Sequence, residues 1–261
     1  MIKNLLTAVL RKIGHAIPNI RYVRALPNLV LKPLHNRLKL GGGIVPVLDF
    51  RMLLDPRECV DAALWFTPHT YDNKELWFVT RNYHGGVFLD IGANIGFWSL
   101  YVAQTFPTAP IYAIEANPNT FSILEKNVAV NGFSNIHPFN FGVAGKNGSM
   151  PLYLNESGNR GGDTLKQTDG ARREINIAVR TLHSFVEEME IPEIELIKVD
   201  IEGMECEMFE AFFKNSERNI YPNYICAETL HSQTLADLLV QYGYTVVCIG
   251  RENSVFEKVW R

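Results

Sequence analysis

Residues 87–99 read Val-Phe-Leu-Asp90-Ile-Gly92-Ala-Asn94-Ile-Gly96-Phe-Trp-Ser. An apolar run ends in an acidic residue and leads into a glycine-rich turn, a pattern typical of a buried strand that turns into a helix. Glycine lets the backbone turn sharply and lets a ligand approach without an intervening Cβ. A carboxylate beside such a turn repels a pyrophosphate and attracts an ammonium group. The Gly-x-x-x-Gly spacing also differs from the dinucleotide motif, so the stretch favours a ligand with a cationic end.

A second acidic residue follows about 20 residues later, in Ile111-Tyr-Ala-Ile-Glu115-Ala-Asn-Pro118. At the end of a strand, this carboxylate can accept hydrogen bonds from both ribose hydroxyls of an adenosine. Together the two acids predict S-adenosylmethionine, whose sulfonium and amino group are cationic. The alternative for either acid alone is that it caps the helix that follows it.

Strand-like and helix-like runs alternate after residue 86, which predicts an α/β fold with a mainly parallel sheet. We expect strands at 87–90, 111–115, 136–141, 196–200, 224–228, 245–249 and 255–260, and helices at 96–104, 119–131, 205–215 and 232–242. Residues 145–180 interrupt this alternation as an insertion. It contains two antiparallel strands, near 152–154 and 175–179, around a glycine-rich loop at 155–170. We interpret the loop as a lid with acceptor contacts, or else as a solvated hairpin tip.

Residues 1–70 form an N-terminal helical and extended arm, ahead of a binding domain at 71–261. Apolar residues spaced by three and four predict an amphipathic helix over 2–15. Turns follow, then a strand or hairpin from residue 45, a helix at 57–66 and another at 71–82. Residues 1–48 carry eight Lys or Arg and no Asp or Glu, and the remainder holds 17 basic against 28 acidic residues. The basic arm predicts contact with an anionic partner or a membrane surface, or else a solvated face packed on the acidic body.

Length and composition narrow the class of protein and its cellular location. At 261 residues and 47% hydrophobic content, the chain suits one domain with an extension and excludes disorder and disulfide scaffolds. The four cysteines form no Cys-x-x-Cys pair, so we expect no zinc ribbon and interpret them as buried thiols in a reducing compartment. The first apolar run is too short to span a membrane. These features predict a cytoplasmic protein, with peripheral contact at the inner membrane surface as an option.

A third acidic segment, Glu195-Leu-Ile-Lys198-Val-Asp200-Ile-Glu202-Gly-Met-Glu205, places charged residues at the end of another buried strand. Open α/β sheets bind their ligands at this edge. The candidates for catalysis are Lys198, Asp200, Glu202 and Glu228, with His231 one turn further on. We expect Asp200 or Glu202 to act as a base or to orient an acceptor. Two alternatives stay open: Asp200, Glu202 and Glu228 bind Mg²⁺, or Glu202 and Glu205 cap the next helix.

The order of DIGANIG (90–96), IEANP (114–118), KVDIEGME (198–205) and the strand end at Glu228 resembles the FkbM-type family of S-adenosylmethionine-dependent methyltransferases over residues 72–228. The resemblance implies a class I methyltransferase (Rossmann-like) fold with a seven-stranded, mainly parallel sheet. It also implies O-methylation of a hydroxyl on a sugar, glycan or natural product. The cofactor residues that it implies are Asp90, Gly92, Asn94 and Gly96 at the methionine end, Glu115 at the ribose, and Phe141, Gly142 and Val143 along the adenine.

One departure from the family pattern is Thr181-Leu182-His183, where members usually have Thr-Leu-Asp. Two other classes of function remain as alternatives. A methyltransferase of protein or nucleic acid would use the basic arm, but no Asn-Pro-Pro-Tyr-like tetrapeptide is present and the acidic body disfavours a polyanion. A binding module for an adenosine ligand would need no catalysis. We expect a small-molecule or glycan acceptor and leave the oligomeric state open.

Overall fold

The computed structural model describes residues 2–18, 27–155, 160–166, 173–229 and 233–259. Within these ranges the strands are β1 (Gly43–Val47), β2 (Phe50–Leu54), β3 (Phe88–Ile91), β4 (Ile111–Ile114), β5 (Ile136–Phe139), β6 (Gly142–Val143), β7 (Gly148–Tyr153), β8 (Glu174–Arg180), β9 (Leu196–Val199), β10 (Tyr224–Glu228), β11 (Tyr244–Ile249) and β12 (Asn253–Lys258). The α-helices are α1 (Ile2–His15), α2 (Lys32–Arg37), α3 (Cys59–Phe66), α4 (Asn73–Asn82), α5 (Phe97–Thr105), α6 (Pro118–Asn131), α7 (Leu182–Glu188), α8 (Glu205–Asn215) and α9 (Gln233–Gln241).

A seven-stranded sheet forms the centre, in the order β11-β12-β10-β9-β3-β4-β5. β3 pairs in parallel with both β4 and β9, whereas β12 runs antiparallel to β10 and β11. Side chains from α4, α5 and α6 join one buried apolar cluster, and those from α7, α8 and α9 join another. The chain therefore has the predicted class I methyltransferase fold. Its strand order reverses between β3 and β9, the position where open α/β sheets bind ligands.

The N-terminal arm packs into the same apolar cluster as α4 and α5. Leu10 of α1 is buried in this cluster, together with Leu31 from the π-helical turn Pro27–Leu31 that leads into α2. Arg11 ties α1 to the body by donating to the carbonyl oxygens of Pro46 (2.6 Å) and Trp65 (3.3 Å). None of the helices among the described residues is long and apolar enough to cross a membrane. The domain division at residue 70 stays a prediction.

Two strands of the predicted insertion, β7 and β8, join β6, which precedes the insertion, in a three-stranded sheet with the order β6-β8-β7. The pair β7 and β8 is antiparallel, as expected, and β8 also pairs in parallel with β6. Residues 156–159 and 167–172 lie outside the described residues. The short helix Arg160–Gly162 and the bridge between Tyr153 and Thr164 bring the described part of the loop back to β7.

Most predicted elements are present, and three expectations need correction. The strand predicted at 136–141 ends at Phe139, because the Asn140 side chain turns back to donate to the carbonyl oxygen of Glu115 (2.8 Å). The region after α1 contains helix α2, since proline at the start of a helix removes no needed donor. The four cysteines all lie among the described residues and form no disulfide, but only Cys226 is buried and Cys59 is exposed.

The departure at residues 181–183 is accommodated by local hydrogen bonds. The Thr181 side chain accepts a hydrogen bond from the backbone N–H of Ser184 (3.1 Å) and so caps the N-terminus of α7. His183 lies one residue inside the helix, where its ring contacts the Ser216 hydroxyl (3.0 Å) and the Glu187 carboxylate (3.4 Å). His183 therefore has a structural role, and the helix keeps its cap.

Candidate functional site

The functional site is a cavity of about 290 Å³ at the carboxyl ends of the parallel strands. It lies between β3 and β9, and side chains from several separate segments line it. Seven of the eight predicted cofactor residues and all four predicted catalytic residues do so: Asp90, Gly92, Asn94, Glu115, Phe141, Gly142, Val143, Lys198, Asp200, Glu202 and Glu228. The fold therefore brings the three sequence motifs together around one small-molecule pocket.

The glycine-rich turn passes close to the neighbouring strand. Gly92 adopts a positive φ of 76°, and a Cβ at this position would overlap the backbone carbonyl of Asp200. Gly96 is the eighth predicted cofactor residue, and it does not line the cavity. It instead starts α5 with a φ of 90°, and a Cβ there would press on the Leu124 side chain. Gly96 therefore has a role in helix packing, and its contact with the cofactor stays a prediction.

Asp90 both caps a helix and faces the cavity. Its Oδ2 accepts hydrogen bonds from the backbone N–H (3.0 Å) and hydroxyl (2.6 Å) of Ser99 in the first turn of α5. Burial raises the pKa of the Asp90 carboxyl to about 6, and the hydrogen bonds from Ser99 partly offset this increase. Oδ2 of Asp90 therefore caps α5, as the alternative from the sequence proposes, and the same side chain also lines the cavity.

Glu115 is held by the backbone of two different turns. Its Oε2 accepts the N–H of Asn94 (2.9 Å) in the glycine-rich turn, and its Oε1 accepts the N–H of Asn117 (2.8 Å). Burial raises the pKa of Glu115 to about 7, against the lowering effect of these two hydrogen bonds. Each carboxylate oxygen has a further lone pair. The side chain is thus fixed in position and can accept two more hydrogen bonds from a vicinal diol.

The described lining of the cavity carries eight acidic residues and one basic residue. The basic residue is Lys198, whose Nζ lies 3.3 Å from Oδ2 of Asp200. Desolvation lowers the pKa of Lys198, but the nearby negative charges, Asp200 first, outweigh it and raise the pKa overall. Lys198 therefore stays protonated and pairs with Asp200. This excess of carboxylates favours a cationic ligand.

Glu202 stands at the mouth of the cavity in an unusual backbone conformation. Its φ is 53°, a left-handed value that costs free energy for a residue other than glycine. Glu205 stabilises this turn, because its Oε1 accepts the N–H groups of Ile201 (3.0 Å) and Gly203 (3.2 Å). The pKa of Glu202 is raised to about 7, first by desolvation and then by the charges of Asp200 and Glu228. The side chain is exposed, so water screens part of this effect.

The geometry separates the two alternatives for this acidic segment. Glu205 stabilises the turn before α8 by bonding to the N–H groups of Ile201 and Gly203, whereas Glu202 lines the cavity. The magnesium alternative is not supported: in the described part of the chain, no three His, Cys, Asp or Glu side chains are arranged to hold a metal ion. One oxygen of Asp200 is instead taken by Lys198. His231 lies outside the described residues.

Three polar lining residues, Tyr71, Asp72 and Glu252, come from outside the sequence motifs and the predicted lid. Asp72 precedes α4 with a φ of 42°, and its carboxylate accepts the indole N–H of Trp98 (2.8 Å). Burial raises the pKa of Asp72. Nothing in the local sequence distinguishes Asp72 from an ordinary residue before a helix. Only the packing of α4 against α5 brings it to the site.

The described part of the predicted lid reaches the site through two polar links. The Asp163 carboxylate accepts the side-chain amide of Asn117 (2.7 Å). The hydroxyl of Thr164 donates to the carbonyl oxygen of Glu202 (2.9 Å). Gly161, Asp163 and Leu165 line the cavity. The loop thus connects the ribose-side motif with the mouth, whereas its residues 156–159 and 167–170 lie outside the described residues.

Most of the residues that line the cavity belong to a segment that matches a known protein family. The sequence profile of the methyltransferase FkbM domain matches residues 90–244, more than half of the chain. The chain belongs to the FkbM methyltransferase family. This match includes both cofactor motifs and all four candidate catalytic residues, and it extends beyond Glu228 through α9 to the start of β11.

Two curated relatives of this FkbM chain are fungal methyltransferases. Methyltransferase sdnD of Sordaria araneosa is 28% identical over 174 residues, which cover 56% of this chain and 65% of the relative. Methyltransferase 1 of Beauveria bassiana (strain ARSEF 2860) is 27% identical over 141 residues, covering 46% of this chain and 55% of the relative. The chain thus spans less than two thirds of the length of either relative.

Solved structures with similar topology are more distant from the FkbM chain. TrmK of M. capricolum in complex with S-adenosyl-homocysteine is 17% identical, with a TM-score of 0.41, and the match covers 70% of this chain and 67% of that chain. TrmN from Thermus thermophilus is 14% identical, with a TM-score of 0.42, covering 70% and 47%.

The residues of this FkbM site fit S-adenosylmethionine. Gly92 has no Cβ, and its backbone lies in the cavity wall where a side chain would not fit. Glu115 has acceptor lone pairs for the hydroxyls of a ribose, and the described lining is strongly acidic. When bound, the cofactor supplies an electrophilic methyl group on sulfur. Asp90 and Glu115 would hold its amino-acid and ribose parts, and the apolar segment at Phe141 would lie along the adenine.

The raised pKa values of Asp90 and Glu115 predict how stability changes with pH. In the folded, cofactor-free protein, Asp90 keeps its proton up to about pH 6 and Glu115 keeps its proton up to about pH 7. The unfolded chain releases these protons near pH 4, so the folded state binds more protons between these pH values. The contribution of each acid to the free energy of unfolding is therefore lost as pH rises through its raised pKa. Thermal unfolding of the wild type and of Glu115→Gln between about pH 5 and pH 8 tests this. The difference in Tm should move in favour of the variant as pH rises, and a difference that is constant with pH would contradict the prediction. His15 and His35 titrate in both proteins, so they cancel in the comparison.

Proposed function

We propose that this protein transfers a methyl group from S-adenosylmethionine to a hydroxyl oxygen of a sugar, glycan or natural-product acceptor. The observation that carries the proposal is the presence of Glu202 and Asp200 on the wall of the same cavity as Asp90 and Glu115. The cofactor residues and the candidate proton acceptors therefore line one cavity. Family membership supports methyl transfer, and the acceptor class rests on the chemistry of the cavity mouth.

Methyl transfer to an alcohol needs an aligned oxygen and a proton acceptor. As the bond between the acceptor oxygen and the methyl carbon forms, the bond between that carbon and sulfur breaks, and the hydroxyl proton must leave. We assign proton removal to Glu202, because its exposed carboxylate is open to a ligand at the mouth and its pKa of about 7 suits a general base. Asp200, paired with Lys198, then orients the acceptor.

Polar groups at the mouth suit an acceptor with several hydroxyls. Asp163 lines the cavity and Glu228 lies at the end of β10, where it lines the cavity as well. Carboxylates accept hydrogen bonds from hydroxyl groups, as binding of a sugar requires. A polyanion such as RNA would meet the acidic lining unfavourably.

Replacing Glu202 by glutamine should lower kcat by about 100-fold and leave the dissociation constant for S-adenosylmethionine within about twofold, since general bases typically contribute factors of 10²–10⁴. The measurement is transfer of a labelled methyl group to a panel of sugars, polyols, hydroxy acids and phenols. The matched control is Glu210→Gln on α8, because Glu210 is exposed, pairs with Lys214 (3.3 Å) and does not line the cavity. The wild-type rate should rise with pH through about 7, and this rise should be absent in Glu202→Gln.

Two results would contradict this function. Methylation of protein, RNA or an amine with none of the hydroxyl panel would move the acceptor to another class. Tight cofactor binding with no transfer to any acceptor class would favour the binding-module alternative. Full turnover by Glu202→Gln would remove this residue as the base without affecting the assignment of the cofactor site.

A further inference from the structure

The N-terminal arm exposes a group of large apolar side chains that we name the arm face. Its members share exposure to solvent and a position on α1, the π-helical turn or α2 and its end: Leu5, Leu6, Val9, Ile13, Leu29, Val30, Leu34 and Leu38. Leu5 is 66% exposed and Leu29 is 73% exposed. Single exposed apolar residues are ordinary on protein surfaces, whereas a group of eight on neighbouring elements indicates an interaction site.

Helix α1 has an apolar stripe wider than the surface it packs against. Leu10 is buried in the core cluster, whereas Leu5, Val9 and Ile13 are spaced by four residues and lie beside it on the solvent side. Residues four apart share one helix face. The exposed members therefore form a continuous row along α1, and packing onto the body accounts only for the Leu10 side.

The two halves of the arm face are adjacent. α1 contacts both the π-helical turn and α3, and the turn leads directly into α2. The Lys3 side chain at the start of α1 reaches the carbonyl oxygen of Lys39 just beyond α2 (3.4 Å). The exposed residues of α1 and of residues 29–38 consequently belong to one surface.

The charged residues on the elements that form the arm face have a single sign. Lys3, Lys12, Lys32, Arg37 and Lys39 lie on the same elements, and residues 1–48 contain no acidic residue. Amphipathic helices that lie in a membrane interface combine an apolar row with flanking Lys and Arg. We propose that the arm face binds an anionic membrane surface, with its leucines at the boundary between headgroups and acyl chains and its lysines against lipid phosphates.

Charge complementarity favours a membrane over a second copy of the chain. A symmetric dimer through the arm face would bring two basic arms together, because an isologous contact pairs the same surface on both subunits. An anionic bilayer instead supplies an apolar interior and negative charge in one surface. A free polyanion would engage the lysines but leave the exposed leucines in water.

The test is co-sedimentation of the full chain with sucrose-loaded vesicles, either phosphatidylcholine alone or phosphatidylcholine with about one third phosphatidylglycerol. The wild type should bind the anionic vesicles at least tenfold more strongly, and added salt should weaken the binding. The triple variant Leu5→Gln, Val9→Gln, Ile13→Gln should lose at least tenfold in affinity. Lys12→Gln and Lys39→Gln should each lose about fivefold, the usual effect of one basic side chain at an anionic surface.

The matched control is Val240→Gln, which changes an exposed apolar residue on α9, outside the arm, and should bind vesicles like the wild type. All variants should keep the wild-type circular dichroism spectrum and cofactor affinity, so a loss of vesicle binding cannot come from unfolding. Equal binding by the triple variant would overturn the proposal, as would failure of the folded wild type to bind anionic vesicles. A wild-type dimer that the triple variant dissociates would assign the arm face to a second copy.

Discussion

Replacing Gly92 by alanine should lower the free energy of unfolding by at least about 4 kcal/mol, a loss seen only where a substitution cannot be accommodated. Two effects combine at this position. The φ of 76° costs an alanine roughly 1–2 kcal/mol, and the added Cβ would overlap the backbone carbonyl of Asp200. The carbonyl cannot move freely, because the Asp200 N–H is bonded to the Ile91 carbonyl (3.0 Å). The turn and the end of β9 would have to separate.

Gly132→Ala provides the matched control for this prediction. Gly132 ends α6 with a φ of 69°, close to that of Gly92, but no atom lies within 4 Å of an added Cβ. Chemical denaturation of both variants should show a loss of about 1–2 kcal/mol for Gly132→Ala and the larger loss for Gly92→Ala. Similar losses in the two variants would show that the backbone conformation, and not close contact with β9, explains the need for glycine.

The sequence predicted most accurately the helices and strands whose apolar residues recur at a clear spacing and whose ends are marked by polar residues. The bounds expected for α8 and β10 agree with the structure, because an apolar period and flanking polar residues mark both. The strands before Asp200 and Glu115 end one residue earlier than expected. The backbone N–H groups of these two acids still bond to the last residue of the neighbouring strand, Ile91 or Phe139, but their side chains bond to Lys198 or to the N–H groups of the turns.

The parts of the site that sequence reasoning missed depend on contacts between distant segments. Asp72 lines the cavity and accepts the indole N–H of Trp98, a residue 26 positions later in the chain. Glu252 lines the pocket from the connection between β11 and β12. No spacing rule within one segment predicts such convergence, because it follows from how helices pack across the sheet edge.

The acidic residues at the strand ends show that helix capping and ligand binding do not exclude each other, although sequence analysis treats them as alternatives. Asp90 uses one oxygen for the N-terminal turn of α5 and still lines the cavity. Glu115 bonds two backbone N–H groups and remains beside the ligand space. Because a carboxylate has about four acceptor positions, one group can fix the backbone and meet a ligand together. The capping bonds also hold these side chains in place before a ligand arrives.

Replacing Glu115 by glutamine should weaken binding of S-adenosylmethionine and S-adenosylhomocysteine by about 100-fold. The amide has one oxygen in place of two, so its NH₂ group would face the N–H of Asn94 or of Asn117 and a ribose hydroxyl would lose its acceptor. Hydrogen bonds to a charged acceptor contribute roughly 1.5–3 kcal/mol each, and the loss of one or two accounts for this change. Calorimetric titration at about pH 8, where Glu115 is ionised, measures it.

Glu195→Gln separates the loss of a ligand contact from the loss of a structural one. Glu195 also accepts two backbone N–H groups, those of His84 and Gly86, but it does not line the cavity. Both variants should lower the melting temperature, because each leaves a buried or half-buried N–H without its acceptor. Only Glu115→Gln should lose cofactor affinity. If Glu195→Gln lost as much, the effect at Glu115 would arise from general loosening of the turns, and Glu115 would not be a direct partner of the ribose.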